Sequence, residues 1–193
     1  MRYDPEKHHR RSIRLKNYEY GQSGAYFVTI VTQDRECLFG TIANGEIRLN
    51  DAGRMIGHWW LELNRKFSTI ETDHSVIMPN HFHGIVVIPD VPVGADLGAG
   101  PVRNRARIVK KSEAHTAASL PTIVQWFKTM TTNRYMRAIK TSGWAPCRSR
   151  LWQRNYYEHV IRTEESLNEI RKYILENPVR WTTDPENPFA TSL

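Results

Sequence analysis

Residues 76–88 read Val-Ile-Met-Pro-Asn-His-Phe-His-Gly-Ile-Val-Val-Ile, two histidines one residue apart followed at once by a β-branched apolar run. Side chains i and i+2 of a strand point to the same face. His81 and His83 therefore lean together, about 6–7 Å apart at the backbone, so both imidazoles can reach one divalent metal. Phe82 points the other way and can carry the packing that anchors the strand. Two histidines on a wet sheet surface would read the same, so the pair needs support from elsewhere in the chain.

The flanking sequence alternates strands and helices. Residues 25–32 (Ala-Tyr-Phe-Val-Thr-Ile-Val-Thr) are dense in β-branched and aromatic side chains and read as a strand. Ala43-Asn44-Gly45-Glu46 predicts a short hairpin with Ile47 and Leu49 on its return limb. Asn50 or Asp51 can cap a helix whose apolar positions Met55, Ile56, Trp59, Trp60, Leu63 and Phe67 follow the 3.6 period. A strand over 68–78 is interrupted by Pro79-Asn80 before the histidine strand 81–88, the two being hairpin partners or a bent pair. Residues 89–118 are rich in Gly, Pro, Ala and basic residues and read as a mobile insertion.

Ser119-Leu120-Pro121 opens a second helix, with Ile123, Phe127 and Met130 on one face. A strand over 151–161 follows. Thr163 caps a third helix with Glu164 and Glu165 in its first turn, and Leu167, Ile170 and Ile174 form its apolar stripe. It must end near Asn177, because the residue before Pro178 is pushed out of the helical region. The order β-α-β-β-α-β-α predicts an α+β fold, a ferredoxin-like antiparallel sheet with helices packed on one face plus a C-terminal helix. The chain divides into a basic N-terminal arm (1–22), one domain (23–180) carrying the insertion, and a C-terminal tail (181–193).

Charge points to the partner. The 193-residue chain has a formal net charge of +7 and a pI near 9.6, which favours polyanions. From Arg103 to Tyr157 there are 12 Lys or Arg residues against one acid, Glu113, and none from Ala114 to Tyr157. Amides and aromatics are interleaved with these cations, a mixture that suits phosphate contacts plus stacking on unpaired bases. The candidate nucleic-acid contacts are Lys128, Arg134, Arg137, Arg148, Arg150, Trp152, Gln153, Arg154, Asn155 and Tyr156. Cys37 and Cys147 are far apart and lack a Cys-x-x-Cys partner, so neither a disulfide framework nor a zinc ribbon is indicated. No apolar run approaches a membrane span and no signal-peptide core is visible, so a cytoplasmic protein is expected.

Tyr173 and Asn177 lie four apart, on one face of the third helix and offset from its apolar stripe. Alone, such a tyrosine is a packing residue. Beside a metal held by His81 and His83, with the Asn177 amide oxygen completing the ligand set, its phenol could attack a phosphate that the cation polarises.

These residues resemble a known family. Met78-Pro79-Asn80-His81-Phe82-His83-Gly84, Trp152-Gln153-Arg154 before a strand, and Arg171-Lys172-Tyr173-Ile174-Leu175-Glu176-Asn177-Pro178 together look like the single-tyrosine HUH transposases, and within them the REP-associated tyrosine transposases. The resemblance spans roughly residues 10–180, in order. It implies a ferredoxin-like domain and a DNA transposase that cleaves and rejoins single-stranded DNA with Mg²⁺ or Mn²⁺. A 5′-phosphotyrosine intermediate and a free 3′-OH are expected, at hairpins of repetitive extragenic palindromes. By position, Tyr173 matches the nucleophile, and His81, His83 and Asn177 match the metal ligands. The active chain is expected as a monomer or a homodimer.

Rival readings differ in testable ways. Tyr156-Tyr157 is a second candidate nucleophile pair, but neighbours in a strand face opposite ways. A metallo-β-lactamase wants Asp-His shortly after His-x-His, where Gly84-Ile85 stands. A TIM-barrel amidohydrolase needs a longer chain. A non-catalytic hairpin or single-strand binder explains the charge and the aromatics, yet gives no reason for His81, His83, Tyr173 and Asn177 to coincide.

Overall fold

Alternating apolar faces along the strands determine the architecture seen in the computed structural model, which describes residues 23–89 and 118–190. The expectations for the arm 1–22 and for nearly all of the insertion 89–118 lie outside the described residues. The elements run β1 (Gly24–Val31), β2 (Gly40–Ala43), β3 (Glu46–Leu49), α1 (Asp51–Lys66), β4 (Glu71–Ile77), β5 (His81–Ile88), α2 (Leu120–Ser142), β6 (Tyr157–Ile161) and α3 (Glu164–Glu176). Four strands form one antiparallel sheet in the order β4-β5-β1-β6. β1 therefore runs parallel to β4 across α1, and β5 runs parallel to β6 across α2, the split βαβ arrangement of a ferredoxin-like sheet. β2 and β3 form a separate hairpin, closed by Asn44 and Gly45 at φ 54° and 77°.

The two sheet faces have different tasks. Tyr26, Val28 and Ile30 of β1 and Phe82, Val86 and Ile88 of β5 face α1 and α2 and make the main core with Ile56, Trp60, Leu63, Ile123 and Phe127. The opposite face carries Phe27 and Ile85, against which Ile161 and Ile174 pack, with Leu167 and Ile170 at their edge. α1 and α2 thus share one face, and α3 covers the other, on the side of the histidines. Gly84 is required by the first layer. A Cβ there would stand 2.5 Å from Trp60 Cζ2 and 2.8 Å from the Phe82 ring, so only glycine lets the indole approach the histidine strand this closely.

Asn50, not Asp51, is the α1 cap, its side chain accepting from the Gly53 N–H at 2.9 Å. The Thr163 cap of α3 is as expected. β4 and β5 form a hairpin, with a bulge between Thr72 and Ser75. The last sheet strand is shorter than 151–161. Trp152 makes a lone bridge to Thr32, Gln153 N–H donates to Val31 O, and the chain then leaves the sheet until Tyr157. The reason is Lys128, whose ammonium draws the carbonyls of Gln153, Arg154 and Asn155 away from the ladder.

Candidate active site

β5 carries His81 and His83 to the sheet face that α3 covers, where both are almost fully buried, with ring centroids 4.6 Å apart. Each ring is oriented through Nδ1. Asn80 Oδ1 lies 2.8 Å from His81 Nδ1, and the Asn80 amide nitrogen donates to the carbonyls of Arg35 and Glu186. The Asn80 oxygen is therefore the atom facing the ring, and His81 Nδ1 carries the proton. Thr29 Oγ1, on the neighbouring strand, lies 2.8 Å from His83 Nδ1. Both Nε2 atoms are buried without a hydrogen-bond partner, and so is Asn177 Oδ1; with its proton on Nδ1, His81 presents Nε2 as a lone pair. Oriented imidazoles with free Nε2 lone pairs are how proteins present metal ligands.

Burial pushes the His81 imidazole down to about 4 and His83 well below its ordinary value, the latter also because His81 stands beside it. Both are neutral near pH 7, as ligation requires. The Asp184 carboxylate completes a cluster, since its oxygen and the two histidine nitrogens lie within 4.8 Å of one another, with 3.9 Å between His81 Nε2 and Asp184 Oδ2. Burial raises the Asp184 carboxyl, opposed by its bonds to Glu186 N–H and to Asn177. Two imidazole nitrogens, a carboxylate and an amide oxygen are a fitting donor set for a divalent cation.

Tyr173 completes the group within the same chain. Its ring lies 5.4 Å from that of His83 and 6.0 Å from Phe27, while Phe27 stacks on His83 at 5.3 Å. It is about one-third exposed, the open side of an otherwise closed site. Burial raises its phenol, Asp184 adds to this, and the Asn177 amide pulls it back in part. The resting tyrosine is therefore protonated.

Asp184 was not visible to sequence reasoning, which placed it in a tail. The segment 181–187 instead lies against the histidines. Trp181 approaches the His81 ring at 6.0 Å, and Arg35 Nε holds Glu186 Oε2 at 2.8 Å. Thr29 was legible as a polar residue in the middle of an apolar strand. Asn80 stood in the quoted motif, but there it reads as a strand interruption.

The sequence-predicted nucleic-acid residues divide into two groups. Arg134, Arg137, Arg150, Arg154 and Asn155 are exposed, Gln153 is half-buried, and Arg148 is exposed with Glu36 Oε1 at 3.4 Å. Arg150, Gln153 and Arg154 face Gln125 and Asn133 of α2 across a groove of about 330 Å³ that no acid lines. One wall of the groove is tied to the sheet by the Gln153 N–H, which donates to Val31 O at the end of β1 that pairs with His81. The second group corrects the expectation. Trp152 is 3% exposed, its indole N–H donating to Thr131 Oγ1 at 2.8 Å and its ring packed on Phe39 and Phe127, so it cannot stack on a base. Tyr156 packs inward against the main core, while its neighbour Tyr157 is the exposed one, edge-on to Phe27. Lys128 lines the same groove, its ammonium donating to the carbonyls of Gln153, Arg154 and Asn155, and burial beside Arg150 lowers it to about 8.

No protein-family model matches the chain. An uncharacterised protein of Haemophilus influenzae is 40% identical over 187 residues, covering 95% of this chain and 96% of its own length. A second protein of that organism, named "Putative REP-associated tyrosine transposase", is 26% identical over 168 residues, 86% of this chain and 77% of its own. Among solved structures, a REP-associated tyrosine transposase bound to a REP hairpin matches with a TM-score of 0.52 at 18% identity, over 88% of this chain and 73% of its own, a likeness of fold. The chain is thus similar in sequence to a protein named as a putative REP-associated tyrosine transposase, and in fold to a solved REP-associated tyrosine transposase.

Proposed function

We propose that the protein is a metal-dependent transposase and endonuclease of single-stranded DNA, cutting and rejoining strands beside REP-like hairpins through Tyr173. The observation that carries this reading is the ring of Tyr173 set 5.4 Å from that of His83, beside two buried imidazoles whose Nε2 atoms have no hydrogen-bond partner. His81, His83 and Asn177, with Asp184 added, would hold Mg²⁺ or Mn²⁺. When bound, the ion supplies Lewis-acid polarisation of the scissile phosphate and favours the phenolate.

The residues of the chain supply the rest. Tyr173 Oη forms a bond to the scissile phosphorus while the bond from phosphorus to the 3′ oxygen breaks. The phenol gives up its proton to solvent, and the departing 3′ oxygen takes one up as a free 3′-OH. The 5′ side of the break stays on Tyr173, ready for the reverse attack that rejoins strands. Asn80 and Thr29 keep the imidazoles aimed. Arg150 and Arg154 would hold the DNA backbone in the groove beside α2, and Gln153 would meet unpaired bases.

The test is incubation of a hairpin oligonucleotide carrying a single-stranded flank with the protein and Mn²⁺ or Mg²⁺, followed by a denaturing gel. A covalent adduct is expected from the wild type and none from Tyr173→Phe, with hairpin affinity unchanged. Chelator should abolish it. Hairpin binding with no adduct under any divalent ion would leave the non-catalytic hairpin binder as the reading.

A further inference from the structure

α3 is held to the sheet by little apolar surface: Ile174 is its single fully buried residue, with Leu167 and Ile170 half-buried. Three residues on one stripe fix the distance of a helix from a sheet better than its rotation about its own axis. At 100° per residue, Arg171 and Tyr173 fall on opposite flanks of that stripe. Arg171 is clamped. Its Nε lies 3.1 Å from Asp73 Oδ2 and 3.3 Å from Oδ1, its Nη2 lies 2.5 Å from Oδ2, and its Nη1 donates to Asn168 Oδ1 at 3.1 Å.

Asp73 is placed by the β4 bulge. Thr72 pairs with Val86 and Ser75 with Gly84, so three steps on β4 span two on β5, and the extra residue re-aims the strand there. Burial pushes the Asp73 carboxyl up, but the Arg171 guanidinium and the His74 contacts outweigh it and hold the carboxyl at about 2. The pair is thus fully charged at any working pH.

We propose that Asp73 is a positioning residue for the nucleophile: through Arg171 it sets the roll of α3 and so keeps Tyr173 over His83. This rests on the reading of Tyr173 as the nucleophile. The lever is long. A phenol oxygen stands roughly 9 Å from its helix axis, so a roll of about 10° displaces it by about 1.5 Å. A misplacement of about 1 Å costs on the order of 100-fold in rate.

The experiment compares wild type with Asp73→Asn, Arg171→Gln and the exchange pair Asp73→Arg with Arg171→Asp. Adduct formation on a hairpin oligonucleotide with Mn²⁺ should slow by about 100-fold in each single variant, with hairpin affinity and melting temperature near wild type, and recover at least about tenfold in the exchange pair. Rates within about threefold of wild type, or losses that merely follow affinity or melting temperature, would overturn the proposal. Should the single variants fail to fold, Asp73→Glu keeps the pair but shifts it by one methylene, and an unchanged rate there would overturn it too. A ¹⁹F signal from 3-fluorotyrosine at position 173 gives a readout independent of turnover. It should move in Asp73→Asn, and an unmoved signal refutes the positioning role even if the wild type forms no adduct, which would itself sink only the nucleophile assignment.

Discussion

Acidifying the metal-free protein should unfold it through His81. The imidazole, fully buried, falls from an ordinary 6.5 to about 4 in the fold because burial disfavours its charged form. Between those values the unfolded chain holds a proton that the native state refuses, so stability rises with pH across the window. The contribution is fully present above 6.5 and lost as pH falls through 4. At 1.36 kcal/mol per unit, it amounts to about 3 kcal/mol, and His83 adds in the same direction. Asp184 opposes it just above its ordinary value, since its raised carboxyl makes the fold the better proton binder there. For a chain of this size about 3 kcal/mol corresponds to a melting-temperature loss of roughly 6–12 °C. The assay is thermal unfolding by circular dichroism with chelator present, from pH 7 to 4.5, for wild type and His81→Gln. Equal losses in the two proteins would show that His81 is not the source, and the argument would fail.

Other substitutions separate packing from recognition. Trp152→Ala should cost about 3–5 kcal/mol in urea unfolding, because a buried indole and its bond to Thr131 are both lost; normal stability with weaker DNA binding would return Trp152 to a contact role. Gly84→Ala should cost about 1–3 kcal/mol, since the new methyl must displace Trp60, and a neutral result would mean the helix layer yields easily. Arg150→Ala and Arg154→Ala should each make the log–log salt dependence of hairpin binding shallower by about one, with an unchanged slope marking a cation that only aids solubility.

Apolar periodicity and turn residues determined the helices, most of the strands and their order, because a two-residue or 3.6-residue repeat of apolar side chains leaves a chain segment few ways to bury itself. Periodicity also placed His81 and His83 on one face, and Tyr173 and Asn177 on another, since those relations are local geometry. That the two faces meet was carried by motif resemblance, and the tertiary structure brought them together through Ile174 on Phe27 and Ile85. Boundaries that depend on distant partners were not legible. The strand over 151–161 breaks because Lys128, 25 residues before Gln153, claims its carbonyl. Trp152 looked like a base-stacking residue among cations and proved to be core, for an indole pattern does not reveal whether Thr131 is waiting for its N–H. Asp184 sits beside two histidines a hundred residues away through contacts of Asn80 and Arg35 with Glu186. No repeat in 181–190 announces that, because the position of a short irregular segment is set by the groups that receive it and not by its own sequence.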